Sequence, residues 1–200
     1  MLPIKEFVLS PRVLSSLYNA VANVFWSLLA FAPVSIFCYR FMERAWLWAF
    51  VAASFIAWMV AASTLRYLEL SSTLTTYRKL GVHRVNHLVQ HGTFINHLLR
   101  RRDPEYRRML SRAKTAYLLQ STYIQERFHW AVLLFFLLSS LYGIAHGFPG
   151  WALLITIINV VYNLYPIWLQ QYIRVRLNRS RSNLTQESLN SSKRRALACH

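Results

Sequence analysis

Only two cysteines, five glycines and seven acidic residues occur among 200. The cysteines, Cys38 in an apolar run and Cys199 in the tail, exclude a disulfide-stapled secreted domain. With so few glycines there is no Gly-rich phosphate loop, so no nucleotide-binding loop is indicated. Charge is scarce too, at 15% of the chain, while 55% is hydrophobic and 15% aromatic, a balance that excludes disorder and points to a membrane protein. The 23 Lys and Arg, which set a formal net charge of +16, are therefore crowded between long uncharged runs. Cations in that position meet anionic lipid headgroups, so no nucleic-acid partner is expected.

Two such runs, 13–39 and 45–65, are 27 and 21 residues long and bounded by Arg12, Arg40, Arg44 and Arg66. Each is long enough to span a bilayer, which takes about 20 residues. Pro33 is expected to kink the first run or mark its end. From Phe128 to Ile173 no Asp, Glu, Lys or Arg occurs. That is about twice one span, and Gly143-Ile-Ala-His-Gly-Phe-Pro-Gly150 is where the chain is expected to turn back. The spacing thus predicts an all-α polytopic membrane protein with four transmembrane helices, near 13–39, 45–65, 128–145 and 151–173. A cleaved signal peptide is not expected, because the first run is too long and no cleavage site follows a short core.

With the N-terminus inside, residues 1–12, 66–127 and 174–200 share one side and carry 21 of the 23 Lys and Arg. Basic loops stay cytoplasmic, so both termini are expected there. Within 66–127, apolar residues recur at helical spacing at Val85, Leu88 and Val89. A second stripe runs Met109, Ala113, Tyr117, Ser121, Ile124. Both predict amphipathic helices on the inner leaflet, between the second and third spans. Residues 1–177 are read as one membrane domain. Residues 178–200 are read as a basic tail without fixed structure.

His83, His87 and His91 fall on one helical stripe, with His97 following. Such spacing can bind a metal, but no Cys and few carboxylates complete a site, so the stripe is read as the polar face of an interfacial helix and no metal is expected. Glu126 and His129 share a helix face at the start of the third span. A carboxylate that orients an imidazole makes a general base for a hydroxyl; the alternative is a Glu126–Arg127 pair with a His reaching for headgroups. Asn159, Asn163, Gln170 and Arg174 form one stripe along the fourth span, facing the bundle interior either to act or to join helices. The hairpin brings these residues, with Tyr172 and Arg176, towards Glu126 and His129.

The segments Glu126-Arg-Phe-His-Trp130 and Asn163-Leu-Tyr-Pro-Ile-Trp-Leu-Gln-Gln-Tyr-Ile-Arg-Val-Arg-Leu177 resemble the glycosyl-4,4'-diaponeurosporenoate acyltransferase family of carotenoid synthesis. Upstream, Tyr77-Arg-Lys-Leu-Gly-Val-His-Arg84, with Gly92 and Phe94, resembles its basic loop. The chain departs from the family at Ser121, where an acidic residue is usual, at Ile124 and Gln171, where Arg is usual, and at Ile173, where Asn is usual. The resemblance implies a bacterial inner-membrane enzyme that esterifies a hydroxyl of a glycosylated, lipid-like acceptor with a fatty acyl chain. It implies no cofactor beyond an acyl donor such as acyl-CoA or acyl carrier protein. On that reading His129 takes the hydroxyl proton and Glu126 holds His129. Arg174 and Arg176 bind a phosphate-bearing donor or the oxyanion, and Asn163, Gln170 and Tyr172 bind the acceptor sugar. The rival is a non-catalytic membrane protein that recruits anionic lipid or a partner through its basic face. Membrane lipids are partners on both readings.

Overall fold

In apolar surroundings a chain has to satisfy its own backbone, and the long uncharged runs do so as helices. The computed structural model describes residues 11–59, 62–82 and 112–198, and the regular elements among them are all helical. They are α1 (Pro11–Phe41), α2 (Arg44–Trp58), α3 (Ala62–Leu65) with a 3-10 turn over Arg66–Leu68, α4 (Leu74–Lys79), α5 (Arg112–Ala145), α6 (Pro149–Asn159) and α7 (Tyr165–Ala198). A π turn, Val160–Leu164, joins α6 to α7, its wide pitch marked by the Tyr165 amide donating to the Val160 carbonyl.

Three stretches are long and apolar enough to cross a membrane: Ala20–Phe41 in α1, Ala116–Ala145 in α5, and Pro149–Ser180 through α6, the π turn and α7. This is the architecture of a multi-pass membrane protein. The second of the four expected spans is corrected. Instead of one helix over 45–65, α2 has 15 residues and stops at Trp58. At about 1.5 Å per residue it covers about 22 Å, short of the ~30 Å hydrocarbon core. Its last turn ends where the Arg127 guanidinium takes the Trp58 carbonyl, at 2.9 and 2.6 Å, and lies over the Trp58 ring. At its other end the Glu43 amide donates to the Tyr142 hydroxyl, so α2 runs antiparallel to α5 between the levels of residues 142 and 127.

Other boundaries move as well. The third span begins inside a helix already under way at Arg112, so part of the predicted interfacial stripe belongs to α5 rather than to a separate helix. Pro33 neither ends nor replaces α1, which continues to Phe41. Its missing N–H costs one bond, while Val34, Phe37 and Cys38 just beyond it are buried against α5 and α6. Helix α7 continues to Ala198, through residues whose composition alone suggested no order. His83, His87, His91 and His97 lie outside the described residues, as does the stripe at Val85, Leu88 and Val89.

The predicted turn at 143–150 is a Schellman closure: the Phe148 amide reaches the Gly143 carbonyl at 2.7 Å and the Gly147 amide the Ile144 carbonyl at 3.2 Å. Gly147 holds the left-handed φ of 81° that this closure needs, and Pro149 then opens α6. Around this turn end, Phe37, Phe50, Phe136, Tyr142 and Ile155 form an apolar core to which α1, α2, α5 and α6 all contribute. A smaller cluster lies at the open end, where Tyr77 of α4 and Val82 just beyond it pack on Leu169 and Tyr172 of α7. Between the two clusters the faces of α5 and α7 are polar.

Candidate active site

On α5, residues three and four apart project together, so Glu126, His129 and Trp130 share a side with Tyr123 below them. The facing turns of α7 supply Gln170, Gln171 and Arg174, and the π turn supplies Tyr162 and Asn163. Residues 68–71, ahead of α4, close over the open end. Three hydrogen-bonded groups result.

The first is centred on a buried ion pair. The Glu126 carboxylate is fully buried, and it takes Arg174 Nη1 at 2.5 Å, Gln171 Nε2 at 2.8 Å and Trp130 Nε1 at 3.4 Å. Arg174 is 1% exposed, and its other edge, Nε and Nη2, meets Glu69 Oε1 at 3.1 Å. Its guanidinium lies 4.3 Å from the centre of the Tyr123 ring. Two carboxylates on one guanidinium leave this cation no free edge. Gln171 spends its whole hydrogen-bonding capacity here. Its amide nitrogen donates to Glu126 and to the Leu68 carbonyl, while its oxygen accepts from the Leu70 amide at 3.1 Å and the Tyr77 hydroxyl at 3.2 Å. An Arg at this position has no acceptor and could not hold residues 68–70 in this way. The one Tyr77 hydroxyl proton is shared between Gln171 Oε1 and the Ser71 carbonyl, which is the nearer at 2.9 Å. Burial pushes the Tyr77 phenol above its ordinary value, and the Ser71 amide donating to its oxygen works the other way.

The second group contains the histidine. His129 Nδ1 lies 3.3 Å from Asn163 Oδ1, Asn163 Nδ2 donates to Asn159 Oδ1 at 2.8 Å, and Asn159 Nδ2 donates to the Leu133 carbonyl at 3.1 Å. The Tyr162 ring stands edge-on to the imidazole, and its hydroxyl is hydrogen-bonded to Ser27 of α1 at 2.8 Å. The third group is small: Gln170 donates to Gln125 at 2.7 Å, and Gln125 to Ser121 at 3.3 Å.

Several expectations about individual residues change in this geometry. Glu126 does not orient His129: the carboxylate is drawn to the buried guanidinium, and the imidazole finds Asn163 instead. The alternative Glu126–Arg127 pair is not formed either, since Arg127 caps α2. Arg174 is already neutralised, so it presents no cation to a phosphate. Arg176, expected with Arg174 at the donor phosphate or the oxyanion, is exposed on α7 and makes no ion pair among the described residues. Tyr172 points into the apolar cluster under α4, its ring edge-on to Tyr77. Asn163 and Gln170 are buried and engaged with other side chains. Of the four departures, Gln171 and Ser121 are built into hydrogen bonds, Ile173 packs against the α4 cluster and Ile124 is exposed on α5.

Sequence reasoning missed Glu69, Tyr77, Tyr123 and Gln125. For Glu69 a signal was present: in a chain with seven acidic residues, a lone carboxylate beside the end of an apolar run has few reasons to be there other than a buried cation.

The family model for glycosyl-4,4'-diaponeurosporenoate acyltransferase matches residues 58–183, more than half of the chain. The match runs from the end of α2 into α7 and takes in all of these residues except Ser27. No curated protein and no solved structure matches the chain.

Proposed function

The chain belongs to the glycosyl-4,4'-diaponeurosporenoate acyltransferase family, and from that membership we propose that it esterifies a hydroxyl of a glycosylated, lipid-like acceptor, of the glycosylated carotenoid type, with a fatty acyl chain. The observation that carries the reading is His129: an imidazole in the wall of an apolar hairpin, tied by Nδ1 to Asn163, with a second ring nitrogen that makes no hydrogen bond among the described residues. A spanning helix has little reason to hold such a group unless it is used.

In the proposed reaction His129 takes the proton of the acceptor hydroxyl as its oxygen attacks the acyl carbonyl of a thioester donor, acyl-CoA or acyl carrier protein. The new C–O ester bond forms and the C–S bond breaks. The thiolate leaves and recovers the proton from the imidazolium. Glu126, Gln171 and Arg174 position α5, α7 and residues 68–71 one helical turn from His129. The Gln125–Gln170 pair offers amides to sugar hydroxyls. Exposed Arg176 is assigned to the anionic part of the donor, because Arg174 is occupied. We place both termini on the cytoplasmic side of a bacterial inner membrane, on the strength of the basic residues flanking the spans.

The test is transfer of a labelled acyl chain to a glycosylated carotenoid acceptor in membranes holding equal amounts of each variant. His129→Ala should lower turnover by about 10² to 10⁴, the usual worth of a general base. Wild-type turnover by His129→Ala would overturn the mechanism. No turnover by the wild type would favour a non-catalytic protein that recruits anionic lipid through its basic face.

A further inference from the structure

The three hydrogen bonds leading away from His129 have a direction, and that direction is set at their far end. A backbone carbonyl can only accept, so the side of Asn159 facing Leu133 has to be its NH2 group. That leaves Asn159 Oδ1 facing Asn163, which therefore presents its own NH2 group there, at 2.8 Å. Asn163 Oδ1 is then the atom left facing the imidazole, and Nδ1 has to carry the proton it donates. Turning either amide over would set oxygen against oxygen or NH2 against NH2, in a place where Asn163 is wholly buried and Asn159 nearly so. An unmet buried polar group costs about 1–3 kcal/mol, more than enough to select one arrangement.

We infer that Asn159 and Asn163 are positioning residues that hold His129 as the Nδ1–H tautomer, and so place its basic lone pair on Nε2. The pair does with two neutral amides what a carboxylate does in a Ser-His-Asp triad: it fixes the tautomer and the ring orientation. Two neutral amides also avoid burying a further anion in the span, where Glu126 already requires Arg174. Asn163, expected to bind substrate, is instead turned towards Asn159 and His129. The tautomer follows from the hydrogen bonds alone, whereas its catalytic consequence rests on the acyltransferase reading.

The two parts are tested separately. In protein labelled with 15N-histidine and reconstituted in lipid nanodiscs, His129 is identified by the resonance lost in His129→Gln. Its nitrogen shifts should report the Nδ1–H tautomer in the wild type. Asn159→Leu frees Asn163 to turn over and should shift His129 towards the Nε2–H form. Asn159→Asp still accepts from Asn163 and should keep the wild-type tautomer. Nε2–H in the wild type would overturn the inference without any variant having to fold, and so would an unchanged tautomer in Asn159→Leu. In the transfer assay, Asn159→Leu should lower kcat by a factor of about 10 to 10², below the loss of the base itself, with KM little changed. Asn159→Asp should recover most of that. A shifted tautomer with unchanged kcat would leave the hydrogen-bond assignment standing and remove His129 as the base.

Discussion

At the turn end of the bundle, Phe37, Phe136 and Ile155 are buried against aromatic neighbours from several helices, and side-chain charge plays no part in the packing. At the open end, the side chains of Glu126, Gln171 and Arg174 are equally buried, yet nearly every contact that decides their positions is polar. The difference follows from what surrounds a membrane protein. Lipid tails are as apolar as a leucine core, so the turn end gains little from leaving its surroundings and is held chiefly by shape complementarity. The open end is held by the cost of the alternative, because a carboxylate or guanidinium without its partner has nowhere to go. Packing of the first kind tolerates exchange among apolar side chains. A network of the second kind specifies one arrangement, and the polar groups proposed for chemistry adjoin it.

The comparison breaks first at Arg174. Arg174→Met leaves Glu126 buried with only Gln171 and Trp130 for partners, and losing one member of a buried pair costs about 3–5 kcal/mol. A shift of that size in the unfolding midpoint, followed by SDS titration in mixed micelles, is expected. Arg174→Met combined with Glu126→Gln should recover much of it, since no carboxylate is then stranded at Glu126. A double variant as unstable as the single one would show that Arg174 contributes through its bulk rather than its charge. The matching change at the turn end is Ile155→Val, which removes one methylene from a fully buried side chain. Such changes cost about 0.5–1.5 kcal/mol in water-soluble cores, and the lower end is expected in lipid. Acyl transfer should be unaffected. A loss comparable with that of Arg174→Met would mean that the two ends are held in the same way.

Which features could be read in the sequence follows the same division. The turn at Gly147 was legible because a left-handed glycine and a following proline have local causes. The long apolar helices were legible because the bilayer sets their length. The end of α2 was not, since it depends on Arg127, 69 residues away in the chain. Nor was the partner of Glu126: helical spacing says that Glu126 and His129 share a face, but not that a guanidinium on α7 will draw the carboxylate from the imidazole. Offsets along a regular helix select Gln170 for the face shared by Asn163 and Arg174, but Gln171, three residues before Arg174, lies beside that face too and is the one that meets Glu126, while Gln170 meets Gln125. The expected site residues were thus mostly gathered at one end of the hairpin, but with different partners from those their spacing suggested.

How dry the open end is can be tested at Tyr77. Tyr77 is fully buried on α4, its hydroxyl donating to the Ser71 carbonyl with Gln171 Oε1 also in reach. Tyr77→Phe removes these bonds but leaves Gln171 held by Leu68 and Leu70, so about 1 kcal/mol should be lost at neutral pH. The loss should also depend on pH. Burial raises the folded phenol above its ordinary value, so the contribution of Tyr77 is fully present below the unfolded value of about 10. As pH rises beyond that, the unfolded chain ionises first and the contribution is lost on the way to the folded value. The gap in unfolding midpoint between wild type and Tyr77→Phe should therefore stay constant from pH 7 to about pH 9 and narrow by about pH 11. Taking the difference between the two proteins cancels the titration of lysines and other tyrosines. A gap that holds or widens at high pH would mean that water reaches the phenol, and that residues 68–71 cover the open end less tightly than the bonds to Gln171 indicate.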